Sequence, residues 1–123
     1  MFAVAGTAHL LRPRPFDAII PPALPHPRAW TIGSGIAELA LASGLLTGDP
    51  RVRRASAYAA AGLLVGVFPG NLQMCWAAWH DPDAGRGYRA LTVLRLPVQV
   101  PLVLAALAVA GEPAVPPVVS SVV

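Results

Sequence analysis

The sequence predicts an all-α protein integral to a membrane: a four-helix bundle, residues 1–111, whose first helix is truncated. Composition is the first observation behind this. The 123 residues are 55% hydrophobic and only 12% charged, about half the charged share of a soluble domain, and mean hydropathy is +0.60. The second is that the apolar residues form long runs, three of them close to the ~20 residues that cross a hydrocarbon core. The third is the placing of charge. The net charge of +3 comes from nine arginines and no lysine, split among Arg12 to Arg28, Arg51 to Arg54 and Arg86 to Arg95. They punctuate the apolar runs as loops between spans do. They are not gathered along one face, so the bilayer is the expected partner and nucleic acid is not.

The first run, "MFAVAGTAHLL", Met1 to Leu11, would rise only about 16 Å as a helix, half a membrane. A terminal ammonium at that depth is costly, so the start is read as lying inside a longer helix. With no basic residue ahead of the run, it is not a signal peptide. The connection "RPRPFDAIIPPALPHP", Arg12 to Pro27, holds too many prolines for a continuous helix, while Phe16, Ile19, Ile20 and Leu24 make it too apolar for a free loop. An interfacial segment, 12–29, packed on the end of the bundle, is predicted.

The second helix is expected over 30–48. The third, over 55–79, is long enough to span with tilt, and the fourth covers 91–111. Trp30, Trp76, Trp79 and Tyr88 fall near the ends of these runs, where amphipathic rings favour the headgroup layer. The tail "EPAVPPVVSSVV", 112–123, has three prolines and no helical period, and reads as a disordered end.

Small residues predict how the helices approach. Gly62, Gly66 and Gly70 recur every four residues, as do Ala40, Gly44 and Gly48, and such stripes let helix backbones come close in lipid. Pro69 should kink the third helix and free the carbonyl of Val65. Pro97 and Pro101 should act similarly in the fourth, unless Pro97 belongs to its first turn.

Depth then places the polar residues. With antiparallel helices, the connections 12–29 and 80–94 share one side and "TGDPRVRR" lies on the other. Counted from the shared side, Glu38 lies about 12 Å below Trp30 and Asn71 about 13 Å below His80. Gln99 is a little shallower, Arg95 shallower still, and His9 sits close to the first connection. Arg95 and Gln99, four apart, share a helix face. His9, Glu38, Asn71, Arg95 and Gln99 are therefore expected to converge in one half of the membrane. Glu38, a carboxylate inside the apolar run "SGIAELALASGLL", needs a partner there, and Arg95 and Asn71 are the expected ones.

The blocks "AGTAHLLRPRPFDAIIPPALPHP", "SGIAEL", "FPGNLQM" and "RLPVQVPL" together resemble the DoxX or DoxX-like family of small four-helix bacterial membrane proteins, over about Ala5 to Leu104. The first block departs from the family's usual His-Phe by carrying His9-Leu10. The resemblance implies a multi-pass protein of the bacterial inner (plasma) membrane, with relatives that look like membrane subunits of quinone-linked or oxidative-stress complexes. It carries over His9, Glu38, Asn71, Arg95 and Gln99, with Pro69 and Pro97 as backbone features, and assigns none of them a catalytic role.

Two functions follow. In one, the chain is an accessory or assembly subunit of a membrane complex with a protein partner, and the polar cluster fixes helix register. In the other, the cluster binds a quinone or similar small apolar ligand, with Glu38 exchanging a proton, Arg95 as its charge partner, and Asn71 and Gln99 bonded to a carbonyl. The sequence favours the first. It shows no cofactor motif, a quinone being the one redox ligand that the second reading admits. No metal site is expected, since His26 and His80 lie in connections and Cys75 is a lone cysteine, which also excludes dithiol chemistry. Asp81 and Asp83, beside Pro82 and Gly85, read as a solvated turn. Arg51, Arg53 and Arg54, crowded together, favour that side, and with it both termini, as cytoplasmic.

Overall fold

A computed structural model describes residues 1–113, in which the regular structure is helical, with no strand among these residues. The elements are α1 (Phe2–Leu11), α2 (Arg14–Asp17), α3 (Pro27–Leu46), α4 (Pro50–Gly66), α5 (Phe68–His80) and α6 (Arg86–Gly111). Three helical stretches are long and apolar enough to cross a membrane: Pro27–Leu46, Pro50–His80 and Arg86–Gly111, with Phe2–Leu11 as a shorter apolar helix. Ile36, Val65, Leu94, Val100 and Leu104 are each more than half exposed on them. Such outward apolar surface marks a membrane protein. The tail expected over 112–123 lies, from residue 114 onward, outside the described residues.

Each long helix begins earlier than the hydrophobic runs suggest, taking in the residues just ahead of its run. In α3, Pro27 occupies the first turn, where a missing N–H costs nothing. His26 before it takes a left-handed backbone (φ 54°), and Trp30 closes the turn by donating from Nε1 to the Pro25 carbonyl at 3.0 Å. Asp49 caps α4, its carboxylate accepting from the N–H groups of Arg51 (2.8 Å) and Val52 (3.4 Å). The arginines that read as a loop are thereby the first turn of a helix. The connection 12–29 carries one turn, α2, which packs on α3.

The principal packed pairs are α1 with α3, α3 with α4, α4 with α6, and α5 with α6. Ala57, Ala60, Ala61 and Leu64 form the buried face of α4, small enough for both neighbours to come close. The stripe Gly62, Gly66 and Gly70, expected to carry packing, does not do so among the described residues. A Cβ on Gly62 or Gly66 would meet nothing within 4 Å, and one on Gly70 only the Ile19 carbonyl at 3.6 Å. The close approaches lie at Gly44, in the other expected stripe, and at Gly6 and Gly35, which the sequence did not single out. A Cβ on Gly6 would stand 2.7 Å from the Gly35 carbonyl oxygen, one on Gly35 would stand 2.8 Å from His9 Cβ, and Gly44 abuts Ser56.

Pro69 does interrupt the third long stretch, at Val67, which separates α4 from α5. Backbone bonds run from Val67 N to Leu63 O (2.9 Å) and from Asn71 N to Val67 O (3.1 Å). The carbonyl that finds a partner outside the helix is that of Leu64, one residue before the expected Val65; Gln99 donates to it. By contrast α6 runs helical through Pro97 and Pro101. A proline removes one backbone bond wherever it sits. At the α4–α5 break a side chain from α6 holds the opened geometry.

Candidate functional site

The five polar residues read from the sequence fall into two groups and an outlier. Gln99 is buried on α6. Its Nε2 donates to the Leu64 carbonyl at the end of α4, and its Oε1 accepts from Asn71 Nδ2 on α5 at 2.9 Å. Both ends of the Gln99 amide are therefore engaged by protein. The carbonyl-binding role foreseen for Gln99 is taken up by the broken helix itself.

The second group joins α1 to α3. His9 Nδ1 lies 3.1 Å from Ser34 Oγ and 3.9 Å from Glu38 Oε2. Ser34 Oγ donates to the Thr31 carbonyl at 3.1 Å. With the hydroxyl donating there, its oxygen can accept from His9 in the tautomer that carries its proton on Nδ1. The glycine contact of α1 with α3 is what allows this: Gly6 and Gly35 bring the helices close enough for the His9 ring to reach Ser34. Phe16 of α2 stands edge-on to that ring, 3.9 Å between centroids, so the connection 12–29 closes over the histidine from outside.

Glu38 is 8% exposed, and its Oε2 is buried with no hydrogen-bond partner among the described residues. Its neighbour in charge is His9, and the expected pairing with Arg95 and Asn71 is not formed. Asn71 points to Gln99. Arg95 is exposed and makes no ion pair among the described residues. One turn along α6 from Gln99 and offset from it by only about 40°, it shares that face in backbone position, and its long side chain carries the guanidinium out of the seam.

Sequence reasoning missed Ser34 and Thr31, both on the Glu38 face of α3, and Thr92 and Arg89 on α6. Thr31 and Thr92 are fully buried. Thr92 donates to the Arg89 carbonyl at 2.7 Å, while Thr31 Oγ1 has no partner. Spacing carried the signal for Thr31, Ser34 and Glu38, which recur at helical intervals of three and four. Arg89 caps α5: Nε donates to the Ala78 carbonyl at 3.0 Å and a terminal nitrogen to that of Asp81 at 2.7 Å. Among the described residues no three His, Cys, Asp or Glu side chains converge on a metal position.

Chemically, the site offers one buried carboxylate oxygen able to accept a hydrogen bond, beside a histidine and a hydroxyl that already share a proton. No curated protein and no solved structure matches the chain. The domain of unknown function DUF8561 matches residues 1–110, nearly all of the helical body, and the chain belongs to that family.

Proposed function

We propose that the chain is a multi-pass protein of the bacterial plasma membrane, a four-helix bundle of the DoxX-like kind, acting as a non-catalytic accessory subunit of a membrane complex with the redox association that this resemblance implies. The observation that carries the reading is the Gln99 bridge. The amide that a carbonyl ligand would need is spent on Leu64 and Asn71, as a network fixing helix register would be. The crowded Arg51, Arg53 and Arg54 support a cytoplasmic position for the α3–α4 turn and for both termini. Reporter fusions after Asp49 and Asp83 test this, with a cytoplasmic signal expected at Asp49 alone.

A second reading has its own observation. Glu38 Oε2, buried and unpartnered, supports binding of a small apolar ligand with a hydroxyl donor, such as a reduced quinone, at the His9–Ser34–Glu38 group. Purification in native lipid, with mass spectrometry of co-extracted proteins and small molecules, separates the two. The accessory role predicts a stoichiometric protein partner that is retained when Glu38→Gln is introduced. A quinone held by wild type and lost from the folded variant would establish the second reading in its place.

A further inference from the structure

Away from the buried cluster, at the corner where α1, α2 and α3 meet, Leu11, Arg12, Pro13, Arg14, Pro15 and Arg28 line a crevice of about 410 Å³. Three arginines in one crevice repel one another unless an anion lies among them. Among the described residues one carboxylate compensates. Asp17 Oδ2 meets Arg28 Nε at 2.9 Å, so the local balance is three positive charges less one, or +2. That contact engages the inner edge of the Arg28 guanidinium and leaves its terminal NH2 groups for another partner. Arg12 and Arg14 form no ion pair among the described residues.

The walls are stiff. Pro13 fixes a backbone angle between α1 and α2 and Pro15 one in the first turn of α2, and Phe16 N and Asp17 N both bond back to the Pro13 carbonyl at 2.9 Å. The arginine stems are thus presented from a fixed turn, not a free loop. Depth matters as much as charge. The crevice sits where α1 ends and α3 begins, at the level of the exposed Trp30, where a helix of this apolar kind passes from hydrocarbon to headgroups. The crevice at the other end of the protein is lined by Arg53 and Arg54 together with Glu112, which pairs with Arg53, so its balance is two positive charges less one, or +1.

We propose that the Arg12–Arg14–Arg28 crevice is a binding site for a phosphate group of net negative charge. Guanidinium forks suit phosphate oxygens because they offer parallel N–H donors, and a basic pocket between helix ends is suited to acidic lipid headgroups. The phosphate comes either from an acidic phospholipid or from a free ion.

The full chain in a non-ionic detergent, titrated with dioleoyl phosphatidylglycerol and separately with dioleoyl phosphatidylcholine, allows bound lipid to be counted by native mass spectrometry. Wild type should retain phosphatidylglycerol in preference to phosphatidylcholine. The double variant R12Q/R14Q breaks no ion pair and should keep its helicity by circular dichroism; it should bind phosphatidylglycerol about 30-fold more weakly, from roughly fivefold per arginine near a surface. R51Q/R54Q removes the same charge at the opposite end and should bind as wild type. Sodium phosphate identifies the source: displacement of the lipid at millimolar phosphate assigns the site to the free ion, and its failure to displace assigns it to the headgroup. Equal retention of the two lipids by wild type would overturn the site, as would equal losses in the two double variants, which would mark general surface charge.

Discussion

Gly6 and Gly35 face each other so closely that a methyl group on Gly6 would stand 2.7 Å from the Gly35 carbonyl oxygen. The contact joins α1 to the N-terminal half of α3, and the geometry of His9, Ser34 and Glu38 depends on it.

Gly6→Ala should therefore push α1 off α3 and lower stability by about 1–3 kcal/mol, the usual range for overpacking. Gly62→Ala and Gly66→Ala, which meet open space, should instead be neutral or stabilising by about 0.5–1 kcal/mol, because alanine favours a helix interior over glycine. Thermal unfolding of the three variants in one detergent, followed by circular dichroism, makes the comparison. A loss at Gly62 as large as that at Gly6 would place the packing seam on the wrong face.

The unpartnered Glu38 oxygen gives a second expectation. Removing a buried polar group together with its unmet hydrogen bond relieves about 1–3 kcal/mol of desolvation. Glu38→Met, which keeps the length of the side chain, should raise the unfolding temperature of the isolated protein. A fall would mean that Oε2 has a partner in solution worth more than the cost of burying it.

Gln99 and Asn71 should behave as a coupled pair. Gln99→Leu leaves the Leu64 carbonyl and the Asn71 amide without their partner, and should cost about 1–3 kcal/mol. Adding Asn71→Leu should cost less than it does alone, with a coupling of about 0.6 kcal/mol and at most about 1.7. Strict additivity in this double-mutant cycle would show that the two amides do not depend on each other.

At the far end of α5, Arg89→Ala removes two charge-assisted hydrogen bonds to the Ala78 and Asp81 carbonyls, together with a cation stacked 6.0 Å from the Trp79 ring centre. The last turn of α5 should fray, seen as faster amide hydrogen exchange over 77–81 and a shifted Trp79 emission. Exchange unchanged from wild type would assign the capping of α5 to its own backbone.

Helix class and number of apolar stretches were legible because burial in lipid demands long uninterrupted runs, and those survive any detail of packing. Pro69 was legible as a break for a covalent reason: it has no N–H. The helix starts were not, since Arg51, Arg53 and Arg54 look like a loop until Asp49 is seen to cap them. The depth count placed Asn71 and Gln99 together, and they do bond. It also set Glu38 beside Arg95, where it failed, because depth says nothing of azimuth. Glu38 faces α1 while Arg95 turns outward, and the partner it does meet, His9, lies on a helix whose approach is governed by two glycines that no charge pattern would single out. Gly62, Gly66 and Gly70 show the converse error: a periodic stripe records which face is small, not whether another helix lies against it.

The break at Val67 also bears on the order in which the fold is completed. Leu64 and Asn71 are synthesised well before Gln99, and until α6 exists the carbonyl and the amide on either side of the break have not met the side chain that later joins them. The central element of the structure is finished by the last helix to arrive. In a chain arrested before residue 99 the junction of α4 and α5 would be held by its own backbone bonds alone, and the arrival of one glutamine would add the brace that ties Leu64 to Asn71.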